Sequence, residues 1–201
     1  MRHAVIVLAA ALAVGTVVGC ASNKTVTRLD EGSTVDLSGN WNDTDSRLVS
    51  EEMIRDCLSK PWRAQAWEAR KRKPIVIVGR VRNKSSEHIA TGTFTGDIER
   101  AFVNTGEAEV VADKEERTDV RDERADQQSN ASDETMKKWG REHGADYMLS
   151  GEINSITDEE KGERVVFYQV DLTLIDLETN SKTWIGQKKI KKYVGKNRVK
   201  P

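Results

Sequence analysis

The stretch from 147 to 193, YMLSGEINSITDEEKGERVVFYQVDLTLIDLETNSKTWIGQKKIKKY, decides the fold. Tyr147, Leu149, Gly151 and Ile153 alternate with polar neighbours, and Val166, Tyr168, Val170, Leu172 and Leu174 repeat the pattern. A period of two is the mark of a strand with one buried face. A polar loop at 158–162 joins these two runs, and a turn at 179–181 leads to a third run at 183–193. Long alternating strands with short connections make an antiparallel meander whose apolar face is covered by helices.

Working outward, residues 75–78 (IVIV) are a continuous apolar run that passes into alternation through Gly79, Arg80, Val81 and Arg82. That pattern predicts a central strand covered on both faces. Phe94, Ile98, Ala101 and Phe102 then fall at helical spacing, with Gly106 as a C-terminal stop. A short strand is expected at 109–112. Residues 113–128 carry alternating acids and bases with almost no apolar face, and fit an exposed helix or a mobile loop equally well. Ser132 or Asp133 is placed to cap a helix bearing Met136 and Trp139 and ending near Gly144. Earlier in the chain, Thr44 or Asp45 is placed to cap a helix running to about Leu58. Pro61 suits the first turn of a second, shorter helix with Trp62, Ala66 and Trp67. The class is mixed α+β: one domain, a mixed sheet with a C-terminal antiparallel three-strand meander, and helices packed on it.

The N-terminus reads as a targeting segment. Arg2 gives a positive start, and residues 4–18 are apolar apart from Gly15 and Thr16. At this length the run falls short of the roughly 20 residues a spanning helix needs. Val17, Val18, Gly19 and Cys20 resemble the lipobox of bacterial lipoproteins, which implies cleavage before Cys20 and a diacylglycerol on its thiol. Ser22 is not the aspartate that holds such proteins in the inner membrane, so the resemblance favours an outer-membrane anchor facing the periplasm. The expected organisation is a signal peptide at 1–19, a lipidated flexible tether at 20–45, a helical segment at 46–72, the globular α/β domain at 73–195 and a basic tail at 196–201. Within the tether, Trp41 stands among turn-formers in DLSGNWNDTDSR (36–47), a costly residue to leave in water, and is expected to dock on the domain.

Charged residues make up 32% of the 201, hydrophobic ones 37% and aromatics 5%, which implies a modest core under a strongly ionic surface. Losing Arg2 with the leader leaves 31 of the 32 basic residues against 33 acidic ones, a balance that argues against general nucleic-acid binding. Cys20 and Cys57 are the two cysteines, so no disulfide framework is possible. Cys57 shares a helix face with Val49, Met53, Ile54 and Leu58 and is expected as a buried thiol; a reactive thiol or an intermolecular bridge is the alternative.

Several stretches resemble the LpoB-type lipoproteins that activate penicillin-binding proteins: DLSGNWNDTDSRLVSEEMI (36–54), PIVIVGRVRN (74–83), SEHI, the F-T-G-D-I pattern, VVADKEER (110–117) and GADYMLSGEI (144–153). The last pattern is also similar to periplasmic domains of the TolB N-terminal and CsgG folds. The resemblance implies an outer-membrane lipoprotein without chemistry of its own that binds a bifunctional peptidoglycan synthase and activates it allosterically. The alternative is a lipoprotein subunit or adaptor of another envelope assembly. The tether departs from the best-known members, which have long proline-rich ones. About 24 residues span at most ~80 Å, and no proline precedes Pro61.

No catalytic set is legible. His88 and His143 sit in no metal-ligand spacing, the glycines compose no phosphate-binding loop, and neither a cofactor nor a small-molecule substrate is expected. Lys188, Lys189, Lys191, Lys192, Lys196 and Arg198 concentrate charge near the C-terminus. Lysines there either guard an exposed edge strand or meet lipid headgroups or an acidic partner. Lys188 and Lys192 share one strand face, Lys189 and Lys191 the other. The partner-binding candidates are Lys189, Lys191, Lys192 and Trp62, with Cys20 as the lipid attachment. Residues 70–73 (RKRK) read as a solvated linker.

Overall fold

The computed structural model describes residues 25–137, 140 and 142–195. The chain divides into two units, Met1–Ser33 and Thr34–Pro201. In the described part of the first, Asp30 closes a turn by accepting from the backbone of Gly32 and Ser33. The second carries every helix and strand described below.

Helix α1 spans Asp43–Ser59 and α2 spans Trp62–Arg70; strand β1 (Ile75–Asn83), helix α3 (Thr91–Thr105), strand β2 (Glu109–Val111) and helix α4 (Lys114–Asn130) follow. Strands β3 (Tyr147–Glu160), β4 (Glu163–Asp176) and β5 (Lys182–Val194) complete one sheet of order β2-β1-β3-β4-β5. β1 runs parallel to β2 and β3, and the last three strands form the expected antiparallel meander. The mixed α+β reading holds.

The helix starts follow capping chemistry. α1 begins at Asn42, two residues before the earlier expected cap, because the Asn42 carboxamide accepts from Asp45 N at 3.1 Å while Asp45 accepts from Asn42 N at 3.0 Å. This reciprocal box satisfies two otherwise orphaned donors. The face of α1 with Val49, Met53, Ile54, Cys57 and Leu58 is buried, as the spacing required. Cys57 is fully buried, and burial with the neighbouring Asp56 pushes its thiol up to about 12, the inert form of a core cysteine. α3 buries Phe94, Ile98 and Phe102 and ends at Gly106, whose φ of +64° is the left-handed stop that glycine adopts without penalty.

Val76, Val78, Leu149, Ile153, Val166, Tyr168, Val170, Leu172, Leu174 and Trp184 line the helix-covered face of the sheet. Gly151 belongs to this ladder for a steric reason: a Cβ there would stand 2.2 Å from the carbonyl oxygen of Asp171 on β4. β1 lies inside the sheet, but the cover expected on both faces is unequal. Val76 and Val78 are buried against the helices, whereas on the other side Ile75 is buried and Ile77 half-buried.

Two expectations between β2 and β3 are resolved. Residues 114–130 are a helix, held by the Asp113–Glu116 capping box and by no buried residue. The helix expected from 132 to 144 is absent among the described residues. A single turn at Ser132 closes on Thr135 and Met136, after which Lys137 N bonds the Gln127 side chain and Lys137 O accepts from Gln128. Arg121 takes both carboxylate oxygens of Glu142 at 2.8 Å. These bonds to α4 divert the groups a second helix would have used; Trp139 lies outside the described residues.

Trp41 docks, as expected. Its ring stands edge-on to Phe94 and Tyr168, with centroids 5.8 and 5.6 Å away. Glu87 accepts from Trp41 N at 3.1 Å and from the Tyr168 hydroxyl at 2.6 Å, and that hydroxyl lies 3.1 Å from the Gly39 carbonyl oxygen. Burial, then the bond to Glu87, raises the Tyr168 hydroxyl far above its ordinary range, so it stays a donor. Tyr168→Phe removes a buried bond to a carboxylate, and the expected loss is about 1.5–3 kcal/mol in urea unfolding, with the far-ultraviolet spectrum unchanged.

Candidate functional site

A short strap, residues 36–42, crosses the end of the edge strand β5. Gly39 is buried where it passes, and a Cβ there would meet Val194 at 2.6 Å. Arg164 on β4 donates to Asn40 Oδ1 at 2.8 Å, and Asn42 donates to Asp36 Oδ1 at 2.6 Å. The strap is fastened by Lys192. Its ammonium donates to Asp36 at 2.8 Å, to Asp45 at 2.5 Å and to the Asn40 carbonyl oxygen at 3.2 Å. Its side chain is 11% exposed and that of Asp45 is 8% exposed. One buried cation thus ties strap, α1 and β5 together. Burial pulls the Lys192 ammonium down, but the bonds to Asp36 and Asp45 outweigh it and hold the lysine above its ordinary value. The bond from Lys192 leads the effects that hold Asp36 low.

A second fastening lies at the start of β1. Asp146 accepts from Arg72 at 2.7 and 2.8 Å and from Ile75 N at 2.8 Å, with Arg70 Nε at 3.1 Å. Arg70 also reaches the Tyr147 hydroxyl at 3.3 Å and lies 3.7 Å from Asp176. Burial works to raise the Asp146 carboxyl, and the bonds from Arg72 and Ile75 N outweigh it. Arg70 and Arg72 are therefore not a solvated linker. They anchor the entry to the central strand because an acid directly before β3 requires cations there. The sequence signal was an aspartate adjoining an alternating run, legible only once β1 and β3 are paired.

The partner-binding candidates separate into two groups. Trp62 is buried, its ring edge-on to Tyr147 and its indole N–H bonded to the Cys57 carbonyl oxygen at 2.7 Å. Lys192 is turned inward on the clasp, for strand alternation sends Lys188 and Lys192 toward α1, where Lys188 meets Glu52 at 2.5 Å. Lys189 and Lys191 point away from the helices and are exposed. Cys20, Lys196 and Arg198 lie outside the described residues. β5 is a sheet edge, the setting in which lysines also guard against pairing with other strands.

His88 and His143 are exposed on loops. A cavity of about 570 Å³ opens between the end of β1 and the starts of α3 and α4. It holds Glu99, whose carboxyl is raised by burial and by the nearby Glu116 and Asp113, together with Arg80 and Arg117. Neither histidine, cysteine nor serine lines it. Among the described residues no group of three His, Cys, Asp or Glu is placed to hold a metal ion, and no helix is long and apolar enough to cross a membrane.

The family model described as peptidoglycan-synthase activator LpoB matches residues 45–190. No curated protein sequence matches the chain. Among solved structures the chain is similar to the LpoB C-terminal domain from Salmonella enterica, at 15% identity over 70% of this chain and 97% of that one, with a TM-score of 0.37. It is similar to the LpoB C-terminal domain from Escherichia coli at 13% identity over 70% and 97%, with a TM-score of 0.37. Lipoprotein GNA1162 from Neisseria meningitidis is 16% identical over 60% and 83%, with a TM-score of 0.36.

The clasp has a pH window set by its two shifts. Asp36, lowered from 3.8, stabilises the strap above that value and loses its contribution as pH falls through its lowered value. Lys192, raised from 10.5, contributes below that value and is lost as pH rises through its raised one. The indole resonance of Trp41 should therefore keep its docked position at neutral pH and move toward the free value in acid below pH 3.8, before the amides of β4 lose protection. Asp36→Asn should produce part of that movement at neutral pH. A Trp41 signal that moves only together with β4 would show that the clasp does not hold the strap.

Proposed function

From the premise that this chain belongs to the peptidoglycan-synthase activator family LpoB, we propose that it is an outer-membrane-anchored periplasmic lipoprotein that binds a bifunctional penicillin-binding protein and activates it allosterically. The family match carries this reading. It runs from Asp45, in the clasp, to Ile190 on the edge strand, and so takes in α1 from its third residue, α2, α3, α4 and nearly the whole sheet. An activator of this kind works by binding the active conformer of the synthase more tightly than the resting one, since equal affinity shifts nothing.

In this reading Cys20 carries the lipid. Because residues 36–42 are bound to the domain, the run between anchor and domain is counted from Cys20 to Val35, about 15 residues, and spans at most ~50 Å. The domain works close to its membrane, and the synthase, anchored on the other side of the periplasm, has to bring its own ectodomain within that radius. The tether supplies location and effective concentration, and binding supplies the effect. Lys189 and Lys191 are the outward cations available to meet an acidic strip on the synthase.

A version beginning at Thr34 keeps the strap, the clasp and the Asn42 cap. It should stimulate glycan polymerisation or cross-linking by the cognate synthase in vitro, saturating with a definite affinity. A version beginning at Asp45 loses the cap, worth about 1 kcal/mol, as well as Trp41 and Asp36, and should stimulate less because less of it is folded. If the version from Thr34 is folded yet neither binds nor stimulates any synthase captured from solubilised envelopes with labelled penicillin, the chain serves instead as an adaptor in another envelope assembly.

A further inference from the structure

The helices α1 and α3 cover one side of the sheet, and among the described residues no helix packs on the other side of β3, β4 and β5. Strand register fixes what this open face presents. β3 carries Asp158, together with Glu160, which Lys161 meets at 3.0 Å, and Glu152, which Arg82 of β1 meets at 3.5 Å; β5, two strands away, carries Lys189 and Lys191. Between them β4 presents Val165, Phe167, Thr173 and Ile175, with Gln169 and Asp171 at mid-strand. Large apolar side chains stand in solvent beside this ridge: Ile156 is 69% exposed, Tyr193 65% and Ile185 62%.

The contrast along β5 points to a missing partner. Of its alternating lysines, Lys188 and Lys192 face inward and are paired with Glu52, Asp36 and Asp45. Among the described residues Lys189, Lys191 and Asp158 have no ion-pair partner. A surface of a single sign does not suit this face. An anionic lipid layer that attracted the lysines would meet Asp158, Glu160 and Glu163 within about 10 Å, two strand spacings. The occupant that fits has a basic column facing β3, an acidic column facing β5 and an apolar ridge between them. A second copy of this chain, turned about a two-fold axis along β4, has that layout.

We propose that the open face of β3, β4 and β5 is a self-association surface on which two copies pack sheet to sheet about a two-fold axis parallel to β4. Rotation about that axis lays β5 of one copy over β3 of the other. Lys191 shares a row with Ile156 and Phe167, so it arrives over the partner copy's Ile156 with Asp158 one row away. Its methylenes cover the apolar side chain while its ammonium reaches the carboxylate. Lys189 shares a row with Asn154 and arrives one row from Glu152. The contact is isologous and closes at two copies. Its size is adequate: strands of 13 and 14 residues rising ~3.3 Å per residue, three abreast at ~4.8 Å, present roughly 650 Å² per copy, close to the ~800 Å² per partner of a specific interface. Lys189 and Lys191 are also the cations offered above to the synthase, so self-pairing and synthase binding exclude one another.

The test uses the full chain in its membrane, without synthase. Gln169→Cys places a thiol on the axis, where it faces its own copy. Sheets packed about 10 Å apart are too far for a disulfide, so a short bis-maleimide is the probe. Native Cys57 is buried and stays silent, and Cys20, acylated in the proposed function, offers no free thiol. Val103→Cys, 58% exposed on α3 on the opposite side, is the control. Gln169→Cys should cross-link about tenfold faster than Val103→Cys. Lys191→Glu should cut that yield about tenfold, as should Asp158→Lys, and the two together should restore it, because the reversed charges match each other again. Melting curves of each variant establish that it is folded. Equal cross-linking at both cysteines, or failure of the paired reversal to restore it, would assign the face to a different partner, the synthase or lipid. Because no synthase is present, neither result bears on activation.

Discussion

Lys192 sets the constraint on which the rest of the structure depends. An ammonium turned into the protein at the end of an edge strand is tolerable only with carboxylates beside it. Asp45 supplies one from the first turn of α1, and Asp36 supplies the other from the strap. α1 is thereby held over β5 while its apolar face packs on the sheet, and the chain's approach to the domain is fixed at Gly39, where no larger residue fits beneath Val194. A buried ion pair of this kind adds little net stability over an apolar one, and its effect is on which arrangement forms. Here that arrangement decides where the strap lies on the domain.

Asymmetry follows from the same packing. The helices and the strap occupy one side and one end of the sheet, so the alternation of β5 divides its lysines into an inward pair with structural partners and an outward pair without ion-pair partners among the described residues. The acids of β3 and the apolar ridge of β4 share the outward face with them. A sheet braced from behind by α1 and α3 presents these groups on a rigid surface.

Much of this was legible in the sequence. Period-two alternation in β3 and β4 and the apolar run of β1 located the sheet, and the i, i+4 spacing of Phe94, Ile98 and Phe102 located the helix behind it. Trp41 stood out because an indole among turn-formers wants a pocket. What stayed illegible depends on pairing between distant positions. Asp146 and Arg72 look like unrelated surface charges until β1 and β3 are side by side, and Lys192 looks like one lysine of a cluster until Asp36 and Asp45 are brought beneath it. Trp62 was offered to a partner because an aromatic after Pro61 carries no mark of orientation. Its place was settled by the Cys57 carbonyl, which no periodicity reveals. The helix expected around Met136 failed for the same reason, since Gln127 and Gln128 on α4 took the backbone groups of Lys137.

The most direct test is a double-mutant cycle in equilibrium unfolding between Lys192→Met and Asp45→Asn, both close in volume to the residues they replace. If one buried cation ties the strap, α1 and the edge strand together, each single change leaves an unpaired group, and the double change should cost less than the two singles summed by more than about 1 kcal/mol. Additivity within about 0.5 kcal/mol would contradict the account, because it would mean that Lys192 and Asp45 stand side by side without holding one another.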